Sequence, residues 1–245
     1  MTQNVYDDPQ FFAGYATLDR STQGLEGAPE WPSLRALLPT LTGKCIADLG
    51  CGYGWFCRYA REAGAASITG FDVSQKMLEQ ARAMTPDDVI AWQHADLETL
   101  TLPENSLDLV WSSLTLHYLK AIPALFSTIH QALVPGGMLI FSAEHPIYTA
   151  PLALGWGSDA EGRRSWPVNH YQQEGERVNH WFNADVRKQH RKLATWINLV
   201  LASGLELIHL DEWGPTAEQI VAAPQLAEEA DRPMFFLLAA RRPYN

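Results

Sequence analysis

Ile46-Ala47-Asp48-Leu49-Gly50-Cys51-Gly52-Tyr53-Gly54-Trp55-Phe56 is an apolar run that stops at three alternating glycines. Such a run reads as a buried strand ending in a tight turn that opens a helix. Glycine has no Cβ and reaches positive φ at little cost, so the backbone here can pass close to a ligand. The expectation is a nucleotide-like cofactor at the carboxyl end of this strand.

Outward from this stretch the pattern is strand then helix, repeated. Residues 44–49 read as the first strand and 55–63 as a helix with Phe56, Tyr59, Ala60 and Ala63 on one face, closed by Gly64. A second strand at 67–71 ends at Asp72, and Ser74 caps a helix in which Met77, Leu78 and Ala81 recur at helical spacing. Strands three and four fall at 89–93 and 107–111. A helix at 122–133 and a turn at Pro135-Gly136-Gly137 lead into strand five at 138–142. Strands alternating with helices require a parallel sheet with right-handed crossovers, so the fold class is α/β and doubly wound.

Two segments flank this core. Residues 1–40 read as an irregular or short-helical arm, with a helix near 33–38; Tyr6, Phe11, Phe12, Tyr15 and Trp31 either pin it to the domain or make it a lid over the ligand. Residues 144–186 break the rhythm with seven Pro and Gly, and Trp156, Trp166, Tyr171 and Trp181 argue against disorder, so a functional loop is expected. A helix is expected over 187–203, with Trp196, Ile197, Val200 and Leu201 as its stripe. Closing strands at 205–210 and 234–240 flank a polar helical segment at 216–230. The chain is thus read as one domain, 1–245: an arm at 1–40, a cofactor core at 44–142, an insertion at 144–186 covering the ligand, and a closing part at 187–245.

Composition narrows the partners. The chain has 245 residues, 47% of them apolar, and 28 acidic against 18 basic side chains give a net charge of −10. That balance opposes phosphate backbones and anionic membranes, so neither nucleic acid nor membrane is an expected partner. Three cysteines without a Cys-x-x-Cys pair or a secretory leader point to reduced thiols in the cytoplasm. The eight histidines show no His-x-x-x-His pair, and no metal site is expected. A Gly-x-Ser-x-Gly elbow is also missing.

Asp48-Leu49-Gly50-Cys51-Gly52-Tyr53-Gly54 resembles the first motif of class I S-adenosylmethionine-dependent methyltransferases. Asp72, Asp96-Leu97 and Leu133-Val134-Pro135-Gly136-Gly137 resemble later ones, so the likeness covers about residues 44–142. Glu144-His145-Pro146-Ile147-Tyr148, the aromatic insertion and Lys188-Gln189-His190-Arg191 resemble a subgroup of small bacterial, type 11-like methyltransferases, a resemblance that carries no substrate assignment. The resemblance implies a Rossmann-like, seven-stranded, mostly parallel sheet whose last strand is antiparallel. It implies S-adenosylmethionine as cofactor, S-adenosylhomocysteine as product, and a binding set that includes Gly50, Cys51, Gly52, Gly54, Val73 and Met77. Asp72 is placed to accept ribose hydroxyls or to serve as a helix N-terminal acid. By the same resemblance Asp96 approaches the adenine amino group beside Leu97, or it caps the next turn. Asp48 steadies the glycine turn or faces the methionine ammonium. Trp55 and Tyr15 are either core or a border that attracts the sulfonium.

The acceptor side is read from strand ends. Ser112 and Ser113, just past strand four, should border the cofactor, and His117 or Tyr118 the acceptor. His117 is the better general-base candidate, with a hydrogen-bonded structural histidine as its alternative. Glu144 and His145 orient an acceptor or take its proton, or else cap and anchor a loop. Trp156 and Tyr171 are further substrate candidates. The expected reaction is in-line displacement of the methyl group by an O, N or C nucleophile of a small molecule, in a monomer or homodimer. Two alternatives stand: an NAD(P)-dependent oxidoreductase or epimerase, and a non-catalytic S-adenosylmethionine-binding protein. Against the first, the dinucleotide fingerprint wants a small residue where Trp55 stands.

Overall fold

A computed structural model describes residues 3–85 and 88–244; Met1, Thr2 and Asn245, the ends of the expected arm and closing part, lie outside the described residues. The strands in chain order are β1 (Cys45–Leu49), β2 (Ser67–Asp72), β3 (Ile90–His94), β4 (Leu107–Ser113) and β5 (Leu133–Glu144), followed by β6 (Gly157–Ser158) and β7 (Arg164–Ser165). Then come β8 (Gly175–Trp181), β9 (Ala184–His190), β10 (Glu206–Trp213) and β11 (Phe235–Arg241). Seven form one sheet in the order β10-β11-β5-β4-β1-β2-β3, while β6–β7 and β8–β9 are separate hairpins. The first five strands pair in parallel, and β11 runs antiparallel to both β5 and β10. This is the expected sheet. The chain leaves β1 toward β2 and β3, then returns to lay β4 and β5 on the other side. The switch point therefore lies between β1 and β4, with all five carboxyl ends on one edge.

Strand periodicity divides the apolar residues between two cores. Ala47, Leu49, Val110, Phe236 and Leu238 share a cluster with Phe126, Ile129, Trp196 and Val200 of the helices Ile122–Ala132 and Leu193–Ala202. Ile46, Leu109, Trp111 and Leu237 share the other with Trp31 and Leu34 of the arm helix Trp31–Ala36 and with Phe56 of the helix Trp55–Glu62. Phe56 stacks on Trp111 with centroids 4.1 Å apart. Ser74 Oγ accepts the Met77 N–H, which fixes the start of the helix Gln75–Ala83 and buries its Met77, Leu78 and Ala81. Among the described residues no helix is long and apolar enough to cross a membrane.

Three expectations change. Strand four does not stop at 111: β4 continues through Ser112 and Ser113, because Phe141 and Ser142 of β5 stand opposite them. Strand five begins at Leu133, and Pro135-Gly136-Gly137 bulges within it: Leu107 faces Leu133 but Leu109 already faces Met138. The largest change is at 187–190, expected as helix and found as the end of β9. Phe182 and Asn183 at φ +47° and +60° make a two-residue turn joining β8 and β9, as a tight hairpin requires. No glycine marks that turn. Phe182 is held by tertiary packing: its ring lies on Gly14 of the arm, where a Cβ would come within 2.5 Å of it. The expected long loop at 144–186 is thus a short helix, Pro146–Thr149, followed by two hairpins that reach His190.

Two positions in the opening stretch make the fold testable. Gly54 has φ +73°, and a Cβ there would stand 2.1 Å from the Trp92 ring. Gly54→Ala should therefore cost more than about 2 kcal/mol in urea unfolding; a loss under about 1 kcal/mol would refute this account of the turn. Asp48 is buried at the carboxyl end of β1, with Cys57 Sγ 3.3 Å from its Oδ2. Burial drives the Asp48 carboxyl up to about 7, against the opposing pull of the Cys57 thiol. A raised folded-state value favours the protonated form, so this contribution is whole below the ordinary carboxyl range and is lost as pH rises through about 7. The stability of Asp48→Asn relative to wild type should therefore grow by on the order of 4 kcal/mol between pH 4 and pH 8. Thermal melts showing the same gap at both pH values would contradict it.

Candidate active site

One cavity of about 530 Å³ opens along the carboxyl edge of the sheet. Its floor is the glycine turn after β1, the end of β2, the segment after β4 and the end of β5. The arm and the β8–β9 hairpin supply its cover, through residues such as Tyr6, Tyr15 and Trp181.

At one end the turn is drawn tight. The N–H groups of Gly50 and Cys51 both donate to Phe71 O, at 2.8 and 2.9 Å. Gly52 N–H donates to Asp72 Oδ2 at 2.8 Å, and Ser74 N–H donates to Asp72 Oδ1 at 2.8 Å. Asp72 is buried and lines the cavity; burial raises its carboxyl and these backbone donors oppose the rise. A Cβ on Gly52 would meet no atom within 4 Å, so open space lies beside this turn. Asp48, Gly50, Cys51, Trp55, Val73, Met77, Leu97 and Ser113 also line the cavity.

At the other end stand His117, Tyr118, Glu144 and Lys188. Lys188 Nζ donates to Glu144 Oε1, reaching it from β9. The Glu144 N–H points at His117 Nδ1 at 3.4 Å, which leaves the ring proton of neutral His117 on Nε2. Burial lowers the His117 imidazole to about 4, and Glu144 only partly offsets this. His117 is therefore neutral near pH 7 and turned to donate, which disfavours the expected base at this ring. Among the described residues His117 Nε2 and Glu144 Oε2 are buried without a hydrogen-bond partner. The Tyr118 and Tyr6 hydroxyls meet at 3.4 Å above them.

Six sequence candidates stand apart from the cavity lining. His145 is buried, its Nδ1 accepts the Ile147 N–H and its Nε2 meets Glu212 Oε1 at 2.7 Å, so the ring caps a helix and anchors β10. Ser112 Oγ donates to Leu49 O within the sheet. Gly54 packs under Trp92. Asp96 Oδ1 accepts the Glu98 N–H, the turn-capping alternative, while its neighbour Leu97 reaches the cavity. Trp156 packs on Trp166 beside Arg232, and Tyr171 on His190. Trp55 does line the cavity, but Arg58 stands 4.5 Å over its ring. Sequence reasoning did not single out Lys188 as a lining residue, while Tyr6 lines the cavity as the lid alternative for the arm expects. Lys188 lay where a helix was expected, in a polar run, Arg187 to Arg191, with no apolar alternation to mark a strand.

Comparison with known proteins places this geometry. Residues 47–141 match the methyltransferase domain family. The chain is similar to an S-adenosylmethionine-dependent methyltransferase from Mesorhizobium loti, with 54% identity and TM-score 0.86 over 89% of this chain and 100% of that one. A putative S-adenosylmethionine-dependent methyltransferase from Listeria monocytogenes is 35% identical, with TM-score 0.80 over 88% and 98% of the two chains. A malonyl-[acyl-carrier protein] O-methyltransferase of Erwinia billingiae is 32% identical over 46% of this chain and 44% of its own. The chain belongs to the S-adenosylmethionine-dependent methyltransferases, and S-adenosylmethionine is its cofactor.

Proposed function

We propose that the protein transfers a methyl group to an oxygen, nitrogen or carbon nucleophile of a small molecule bound under the arm and the insertion. The observation carrying this reading is the continuity of one cavity from Asp72 and the glycine turn to Glu144, His117 and Lys188. Donor and acceptor then share one space, covered by the arm and the β8–β9 hairpin. All of these residues come from one chain, so a monomer suffices and a homodimer is compatible.

The residues fit the cofactor on two counts. Open space lies beside Gly52, and each Asp72 oxygen that accepts one backbone N–H keeps a further lone pair for a hydroxyl. Asp72 would hold the ribose, Val73, Met77 and Leu97 the adenine, and the backbone from Gly50 to Gly52 with Ser113 the amino-acid end. When bound, the cofactor supplies a methyl group activated by a sulfonium.

The chain's own part is to align and to accept a proton. Glu144 is the proton acceptor we favour, because Oε2 is buried without a hydrogen-bond partner among the described residues while Lys188 holds Oε1. His117 donates from Nε2 and orients the acceptor. Tyr6, Tyr15 and Trp181 exclude water, so most of the rate comes from holding the reacting atoms in line. An oxygen nucleophile has support in the malonyl-[acyl-carrier protein] relative, though that match covers under half of either chain.

S-Adenosylhomocysteine should raise the melting temperature by several degrees and NAD should leave it unchanged. Asp72→Ala should weaken S-adenosylhomocysteine binding at least about tenfold by calorimetry, the loss of one charge-assisted hydrogen bond. With methyl-labelled cofactor and a metabolite extract, label should appear in a small molecule. Glu144→Gln should slow that transfer by roughly 10²–10⁴ while cofactor affinity changes less than about twofold. Tight cofactor binding with no labelled product from any extract would favour a binding protein and refute transfer.

A further inference from the structure

We infer that the acceptor is an uncharged molecule with an O–H or N–H beside a hydrogen-bond acceptor, read by Glu144 Oε2 and His117 Nε2–H, with Lys188 as the positioning residue for Glu144. This rests on the methyl-transfer reading and names the substrate class of the same site.

Two buried atoms carry the argument. His117 and Glu144 are lining residues of the cavity, and His117 Nε2 and Glu144 Oε2 are buried beside it with no hydrogen-bond partner among the described residues. They are neighbours, since Nε2 lies 4.0 Å from the other oxygen of Glu144. Their senses are opposite: the carboxylate oxygen accepts, and the imidazole donates because Nδ1 faces the Glu144 N–H. Each is a buried polar group left unmet, so a ligand offering one donor and one acceptor side by side relieves both.

The charges at this end are already matched. Lys188 neutralises Glu144, and Arg20 lies 3.2 Å from Glu30, a side chain with no exposed surface. Burial holds the hydroxyls of Tyr118 and Tyr148 neutral, the latter pushed up to about 12. His180 at the rim faces Asp185 at 3.2 Å. An ionic acceptor would lose its hydration here and find no free counter-ion, whereas an uncharged one loses little. Lys188 is itself buried, and its contact engages Glu144 Oε1 and leaves Oε2 without a partner among the described residues.

In the transfer the acceptor's X–H bond breaks toward Glu144 Oε2. The electron pair left on X forms the bond to carbon, and the pair of the broken carbon–sulfur bond stays on sulfur. The proton passes from Glu144 to solvent as product leaves.

The test is calorimetry on the full chain saturated with S-adenosylhomocysteine, which permits no turnover. Four probes are compared: 2-pyridone, with adjacent N–H and C=O; N-methyl-2-pyridone, without the donor; picolinate, an anion; and benzylammonium, a cation. 2-Pyridone should bind at least about tenfold more tightly than each of the others. Lys188→Met should reduce that preference at least about fivefold and Lys188→Arg should restore it, with S-adenosylhomocysteine still bound by both. Equal binding of 2-pyridone and its N-methyl form would overturn the inference. So would tighter binding of either ion, no binding of any probe, or identical behaviour of the two Lys188 variants. Failure of S-adenosylhomocysteine itself to bind would instead sink the methyl-transfer reading.

Discussion

The carboxylate of Asp72 ties the cofactor half of the molecule together. One oxygen accepts Gly52 N–H from the turn after β1, and the other accepts Ser74 N–H at the start of the helix after β2. Two loops from neighbouring strands are thus fixed to each other by a buried charge. Such a group is tolerated because backbone donors surround it, and because it keeps lone pairs for a ligand. The chain of contacts continues outward. Ser74 Oγ lies 2.6 Å from Asp7 Oδ1 in the arm, and Lys76 N–H donates to the same oxygen at 3.1 Å. The arm is therefore docked on the helix that Asp72 positions.

That docking reaches the opposite side of the cavity as well. Gln3 donates from Nε2 to Asp185 O at 2.7 Å and accepts the Arg187 N–H at 2.8 Å, pairing the arm with the edge of β9. Phe11 meets both Trp181 and Phe182 edge-on, with centroids 5.4 and 5.7 Å apart. Since Lys188 follows Arg187 on the same strand, the residue holding Glu144 is placed by contacts that run through the arm. The Asp72 side and the Glu144 side of the cavity are thus joined by packing of the arm on the β8–β9 hairpin as well as by the sheet.

How much of this was legible in the sequence follows from where the information resides. The five parallel strands, the Ser74 cap and the positions of Asp72 and Glu144 at strand ends depend on local periodicity and capping, which a short window contains. The β8–β9 hairpin does not. Its turn places Phe182 at positive φ, a choice paid for by the arm's Gly14 more than 160 residues earlier, and no local signal encodes that. His145 misled for a related reason. Its place after strand five is a site position, but the ring is spent on the Ile147 N–H and on Glu212 of β10, a partner 67 residues away. Lys188 was hidden by the same missed hairpin.

The aromatic insertion divides by chemistry. Trp166 and Tyr148 stack with centroids 5.6 Å apart, and Arg232 stands 4.1 Å from the Trp166 ring and 4.8 Å from Tyr148. Arg232 is buried, and Glu229 holds its guanidinium at 2.8 Å. This cation among rings fastens the insertion to the segment before β11 and uses aromatic faces that the sequence left available for a flat acceptor. Tyr148 belongs to both regions, because it also lines the cavity and lies 5.9 Å from Lys188 Nζ. Two cations, Arg232 and Lys188, thus stand 4.8 and 5.9 Å from the Tyr148 ring. The wall next to Glu144 is therefore joined through Tyr148 to the same cation cluster that fastens the insertion.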